Sequence, residues 1–334
     1  MKQRLPIPVT VLTGFLGAGK TTLLSHLLSQ DHGYKCAIII NEFGEVNIDN
    51  QLVVGADEEI VELNNGCICC RVRGDLIKSL NGLFQKQKRF DYVLVETTGL
   101  ADPMPVAHTF FQPQVTKTLR LDGIVTVVDA AHIEKELDDA PEPAQQIAFA
   151  DVILLNKTDL ISPADLARIE RRLRQMNKLA KIHRTQRSQI DVGAILGIKA
   201  RELGGAFEVA AAPDDHEHCD DPDCTHERHH HGKHDESVKS FVVTEERPLD
   251  LKKTETWLGD VINDLGPSIY RSKGILHVKG QAKRIVFQGV QMMFEAQPDR
   301  LWNVGEKRQS QLVFIGKELD EAKLRAGFAA CLAE

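Results

Sequence analysis

Gly14-Phe15-Leu16-Gly17-Ala18-Gly19-Lys20-Thr21 fits the pattern G-x-x-x-x-G-K-[ST], and its flanks restrict the fold more than any other stretch of the chain. The run Pro8-Val9-Thr10-Val11-Leu12-Thr13 is apolar and rich in β-branched residues, so it reads as a buried strand. Behind the motif, Leu23, Leu24, Leu27 and Leu28 recur at helical spacing. Strand, glycine-rich loop and helix in that order make a phosphate cradle. The glycines let backbone N–H groups turn inward, and the helix N-terminus adds a partial positive charge. A chance glycine-rich turn would lack these flanking elements. Lys20 is expected to reach the β- and γ-phosphates and the Thr21 hydroxyl to bind Mg²⁺. The expected phosphate-side set is Gly14, Gly17, Ala18, Gly19, Lys20, Thr21 and Thr22.

A second pattern specifies the base. Asp151-Val152-Ile153-Leu154-Leu155 reads as another buried strand and runs into Asn156-Lys157-Thr158-Asp159. Guanine presents two donors, N1–H and the exocyclic amine, and one carboxylate can accept from both. Adenine would set an acceptor against that carboxylate, and a buried polar mismatch is costly. Asp159 is the expected base-selecting residue. Asn156 is expected to brace the loop and contact the purine edge, and the Lys157 stem to lie over the base plane. Alone this four-residue match would suit any polar turn after a strand; downstream of a phosphate loop it indicates GTP. A third strand, Asp91-Tyr92-Val93-Leu94-Val95-Glu96, ends in a carboxylate, and Gly99 follows three residues later. Glu96 is expected to hold Mg²⁺ directly or through water, and the Gly99 N–H to sense the γ-phosphate. Lys20, Thr21 and Glu96 form the expected catalytic set.

Between these motifs lies Cys67-Ile68-Cys69-Cys70. In extended backbone Cys67 and Cys69 point the same way, and Cys70 joins them if the chain turns, as Asn64, Asn65, Gly66 and Gly74 permit. Three thiolates suit Zn²⁺ or Cu(I). A closed tetrahedral Zn²⁺ site needs a fourth ligand, for which Glu45 and a water are the candidates. Buried free thiols and a redox pair are the competing readings.

These residues together resemble the CobW-type metallochaperone GTPases, within the P-loop GTPase class that also serves nickel enzyme maturation. The resemblance rests on Thr13 through Leu23, Asn41-Glu42-Phe43-Gly44-Glu45, Ile48-Asp49, Asn65-Gly66-Cys67-Ile68-Cys69-Cys70, Glu96-Thr97-Thr98-Gly99 and Asn156-Lys157-Thr158-Asp159, and it extends to a C-terminal domain. It implies GTP hydrolysis coupled to binding and delivery of a transition metal, most often zinc, to a client apo-metalloprotein. It also implies a switch region from Asn41 to Asp49, with Asp49 near the Mg²⁺ site. Two other functions stay open: assistance to cobalt insertion during cobalamin synthesis, and metal buffering with GTP as a structural ligand.

A polar stretch between the two halves carries His216, His218, Cys219, Cys224, His226, His229, His230, His231 and His234, more than half of the chain's 13 histidines. It has almost no apolar residues and cannot form a core. Imidazole and thiolate groups suit zinc, nickel, cobalt and copper, so weak multi-site metal capture is expected there. Its internal position and irregular pattern distinguish it from a purification tag.

A length of 334 residues accommodates two cores. The expected fold class is α/β, a mostly parallel P-loop NTPase sheet covered by helices on both faces, plus a smaller α+β C-terminal domain. Expected divisions are 1–199, a linker at 200–237, and 238–334. Expected strands are 9–13, 37–41, 59–63, 91–96, 123–129, 152–156 and 181–184, with helices at 20–29, 75–85, 103–111 and 163–177. The second part is expected to hold helices at 249–265 and 318–332 around strands from 238 and at 275–279, 284–288 and 311–315. Trp257, Trp302 and Phe314 read as core or interface residues, and His277 as structural. A formal net charge of −7 argues against nonspecific nucleic-acid binding. The basic run Arg168, Arg171, Arg172, Arg174 has helical spacing around Ile169 and Leu173, which reads as a solvated helix face. No apolar stretch reaches membrane-spanning length, no signal peptide is expected because the N-terminal apolar run leads straight into the phosphate loop, and the seven cysteines, clustered or isolated, are not expected to form a disulfide framework. Cytoplasm is the expected compartment. A partner protein or a second subunit, as in a homodimer, is expected to complete the hydrolytic site, because no arginine finger is identifiable.

Overall fold

The computed structural model describes residues 5–31, 33–40, 59–62, 90–200 and 238–334. The chain divides into two compact units, Met1–Glu170 with Ala180–Gly205, and Arg171–Leu179 with Ala206–Glu334.

The first unit is built on strands β1 (Ile7–Thr13), β2 (Cys36–Ile40), β3 (Glu59–Glu62), β4 (Tyr92–Glu96), β5 (Leu119–Asp129), β6 (Val152–Asn156) and β7 (Lys181–Arg184). They form one sheet in the order β3-β2-β4-β1-β5-β6-β7, every neighbouring pair parallel. Every residue of β2, β4 and β6 is buried, the pattern of strands covered on both faces. From β1 the chain moves outward to β2, and after β4 it crosses β1 to begin β5. The crevice beyond the carboxyl ends of β4, β1 and β5 is therefore the switch point at which open parallel sheets bind ligands. The phosphate loop, Glu96 and Asp129 all lie at those ends.

One face of the sheet packs under the helix Lys20–Ser29. Its Leu23, Leu24 and Leu27 are fully buried against Leu12, Ile38, Leu94, Val125, Val127 and Leu154. Truncating such a leucine to alanine costs about 2–5 kcal/mol. Beneath this layer Asp122 is fully buried, accepting from the Tyr92 hydroxyl at 2.5 Å, Ile198 N at 2.7 Å and Lys199 N at 3.2 Å. Burial and the neighbouring Asp122 carboxylate push the Tyr92 phenol well above its usual range. This network fastens 197–199 to the sheet.

The second unit holds an antiparallel sheet, β11-β10-β9-β12-β8, made of β8 (Lys239–Glu245), β9 (Ile269–Leu276), β10 (Lys283–Val290), β11 (Met293–Leu301) and β12 (Ser310–Gly316). The helices Leu251–Leu265 and Glu321–Ala330 are N-capped by Asp250 and Asp320, whose carboxylates accept from Lys253 N and Lys323 N. They enclose Phe241, Leu258, Phe287, Phe314 and Phe328. Trp257 lies 6.3 Å from Phe314 and 5.4 Å from Phe328, ring to ring, in keeping with a core role. His277 donates its backbone N–H to Ser310 Oγ and sets its ring 5.8 Å from Trp302, a structural placement.

Some elements depart from expectation. The helices Ile133–Asp139 and Glu142–Phe149 and the strand β11 were not foreseen. β9 begins at Ile269 rather than 275, because it pairs with β12 from Ile269 and with β10 from Arg271. The expected helix at 75–85 lies outside the described residues. No helix among the described residues is long and apolar enough to cross a membrane.

Candidate functional site

Gly14 adopts φ +143°, and a Cβ there would stand 2.3 Å from the Val127 carbonyl of β5. Gly19 adopts φ +112°, and a Cβ would stand 2.6 Å from Asn156 Nδ2. Only glycine fits either place. Gly19 is also the N-cap of the helix Lys20–Ser29, which no side chain caps. An uncapped N-terminus in a strand–loop–helix turn is a site for anions. Lys20 folds over the loop, its ammonium donating to the Gly14 and Phe15 carbonyls at 2.9 and 3.1 Å. Ala18 is buried, Thr21 half-buried, and Gly17 and Thr22 exposed.

Asn156 is 2% exposed and joins three segments. Its Nδ2 donates to the Ala18 carbonyl and to Ser188 Oγ, each at 3.0 Å. Its Oδ1 accepts from Thr185 Oγ1 at 3.1 Å and Ser188 N at 2.9 Å. Ser188 Oγ in turn donates to the Gly19 carbonyl at 3.0 Å. These bonds tie the loop after β6 to the phosphate loop and to Thr185 and Ser188. Both amide hydrogens are engaged inside the protein, so none is left over for a purine edge. Lys157 follows in a left-handed conformation (φ 60°), and Asp159 stands exposed in the turn Thr158–Leu160.

Glu96 is buried at the end of β4, in register with Leu12 and Ile40. Thr97 N donates to the Leu12 carbonyl at 2.9 Å, tying the loop that follows to β1. A Cβ on Gly99 would meet Leu16 N at 2.8 Å, so this loop touches the phosphate loop backbone to backbone. Gln146, 1% exposed, donates through Nε2 to the carbonyls of Gly99 at 3.0 Å and Ala101 at 3.2 Å. Thr13 Oγ1 and Thr98 Oγ1 are buried with no hydrogen-bond partner among the described residues. A phosphate oxygen or a hydrated divalent cation supplies what such hydroxyls lack, so the donor set fits Mg²⁺ with a nucleoside phosphate.

Residues 8–184 match the CobW/HypB/UreG nucleotide-binding domain, and residues 238–332 match the Cobalamin synthesis protein cobW C-terminal domain. The chain belongs to the CobW family. This CobW-family protein is 36% identical over 329 residues to the zinc chaperone YjiA of Escherichia coli, covering 97% of this chain and 98% of the relative. It is 34% identical over 355 residues to the zinc chaperone CobW of Sinorhizobium sp, covering 97% of each. A crystal structure of Zn(II)-bound YjiA GTPase from E. coli superposes with a TM-score of 0.78 at 32% identity, covering 99% of this chain and all of the other.

Beside the base loop, the CobW-family protein carries a group of charges that sequence reasoning missed. Asp129, at the end of β5, accepts from Lys157 Nζ at 2.6 Å, His132 Nδ1 at 2.9 Å and Ala131 N at 2.9 Å. Burial pushes its carboxyl up, but the hydrogen bonds from Lys157, His132 and Ala131 outweigh burial and hold it below the usual range. Burial, and then the charge of Asp129, raise Glu136 to about 7, and His132, Lys157 and Lys20 oppose that rise. Asp129 could have been found by the rule that flags Glu96 and Asn156, a polar residue closing an apolar parallel strand. Gln146, Thr185 and Ser188 carry no such signal.

Glu45, Asp49, Cys67, Cys69 and Cys70 lie outside the described residues, as do His216, His218, Cys219, Cys224, His226, His229, His230, His231 and His234. Among the described residues no group of three or more His, Cys, Asp or Glu side chains is placed to hold a metal ion.

Proposed function

We propose that this protein is a GTP-hydrolysing metal chaperone that binds zinc and hands it to client proteins under nucleotide control. The observation that carries the reading is the side chain of Asn156, which links the base loop to the Ala18 carbonyl of the phosphate loop. That bond supports reading two motifs far apart in sequence as one site, with a phosphate end and a purine end.

In this reading the loop around Gly17, Ala18 and Gly19 and the uncapped helix start hold the phosphates, with Lys20 swinging from its carbonyl contacts onto them. Asp159 accepts the two guanine donors. Thr21, Glu96 and Asp49 would hold Mg²⁺, which would supply charge neutralisation at the phosphates. The Gly99 loop, in contact with Leu16, senses whether a third phosphate is present. Zinc is cargo. Cys67, Cys69 and Cys70 hold it, with Glu45 as the candidate fourth ligand, and the histidine-rich stretch from His216 to His234 gathers it. The names of the relatives favour zinc over cobalt or nickel and a metalloprotein client over a buffering role. The client and any second copy of the chain complete the cycle in the cytoplasm.

The test is turnover. Purified full-length protein with Mg²⁺ is expected to hydrolyse GTP and not ATP, and Asp159→Asn is expected to exchange that preference for XTP. Hydrolysis of both nucleotides at equal rate would reject the assignment of the base site.

A further inference from the structure

Lys157 Nζ approaches Asp129 Oδ2 to 2.6 Å, with the Asp129 side chain 4% exposed and that of Lys157 32% exposed. The carboxylate cannot swing away: His132 Nδ1 shares Oδ2, and Ala131 N donates to Oδ1. Its backbone is fixed too, because Ala130 N donates to the Asn156 carbonyl at 2.9 Å and so pins the end of β5 to the end of β6. Lys157 itself sits at φ 60° and ψ 33°, a conformation that a non-glycine residue keeps only where its surroundings hold it.

We propose that Asp129 is a positioning residue for purine recognition, acting through Lys157. The inference rests on reading Asn156 to Asp159 as the guanine loop. A lysine stem is flexible and loses much of its rotamer freedom when laid against a base. An ion pair with an immobile carboxylate orders the ammonium end before the nucleotide arrives. The methylenes are then already at the lip of the base site, and binding does not bear the cost of ordering them. The contact is on the base side, so GTP and GDP gain from it equally.

The experiment compares full-length wild type, Asp129→Asn, Lys157→Met and the double variant. The readouts are dissociation constants for GTP and GDP, kcat at saturating GTP, and KM. Asp129→Asn is expected to weaken GTP and GDP alike by about tenfold and to raise KM, with kcat held within about twofold. Adding it to Lys157→Met is expected to change nothing further, because the ammonium it positions is gone. Lys157→Met keeps an apolar stem without a tether, so it is expected to lose affinity on its own, and it carries the test if Asp129→Asn does not fold. Unchanged affinity in Asp129→Asn, a loss confined to GTP, a loss additive with Lys157→Met, or full affinity in Lys157→Met overturns the proposal. Asp159→Asn separates the two levels. If it fails to alter base preference, the guanine-loop reading falls; if it succeeds while Asp129→Asn is silent, only the positioning role falls.

Discussion

Asn156 and Ala18 stand 138 residues apart in sequence and are joined by a 3.0 Å hydrogen bond from amide to carbonyl. Two further bonds, from Asn156 to Ser188 and from Ser188 to Gly19, close a small ring of polar contacts behind the phosphate loop. The ring is buried, so each member depends on the others for its hydrogen bonds.

Asn156→Ala strands the Ala18 carbonyl and the Ser188 N–H in a buried place. Each orphaned group costs about 1–3 kcal/mol, so thermal unfolding is expected to shift down by several degrees. Nucleotide affinity is expected to fall by at least about tenfold, measured by titration below the unfolding range.

Gly14→Ala tests the loop from the opposite side. Its Cβ would fall 2.3 Å from the Val127 carbonyl, in a φ region closed to alanine. The variant is expected to lose GTP binding while the C-terminal unit keeps its own cooperative transition, read by calorimetry.

The parallel sheet was legible because runs such as Val152–Asn156 are buried throughout and have no polar face. The helices Ile133–Asp139 and Glu142–Phe149 were not, being 7 and 8 residues long, with Pro141 at the start of the second and Pro143 within its first turn. β11 is an edge strand whose side chains are mostly exposed and which contains Pro298, so neither burial nor alternation marks it. Glu96 and Asn156 could be chosen from sequence because each closes a strand within a motif. The pairing of Lys157 with Asp129 could not, since only the parallel register of β5 against β6 brings those ends together.

Glu136 makes stability depend on pH. Its carboxyl is raised from 4.5 to about 7, first by burial and then by the charge of Asp129, and its Oε2 is buried without a partner among the described residues. The folded state therefore holds a proton that the unfolded state releases between pH 4.5 and 7, and stability falls across that window. Glu136→Gln is expected to be neutral near pH 4.5 and to stabilise the protein by about 1–2 kcal/mol at pH 8, after allowance for solvent screening. Asp129 acts with the opposite sign: its depressed carboxyl stabilises above the ordinary aspartate range and loses that contribution as pH falls. Chemical denaturation without added nucleotide separates the two: the change between pH 5 and pH 8 reports Glu136, and the loss below about pH 4 reports Asp129.

Lys20→Ala is expected to abolish GTP binding and leave zinc binding in the nucleotide-free protein unchanged. Cys69→Ser is expected to keep GTP binding and weaken zinc binding by at least about tenfold. Nucleotide and metal titrations on both variants check the separation.

The proposed coupling is that the bound nucleotide sets the grip on zinc. Its most direct measurement is the zinc dissociation constant of the full-length protein loaded with a non-hydrolysable GTP analogue and with GDP, each with Mg²⁺. The expected values differ by at least about fivefold, and adding zinc is expected to shift the ratio of GTP to GDP affinity by the same factor. Equal zinc affinity in the two states would contradict it.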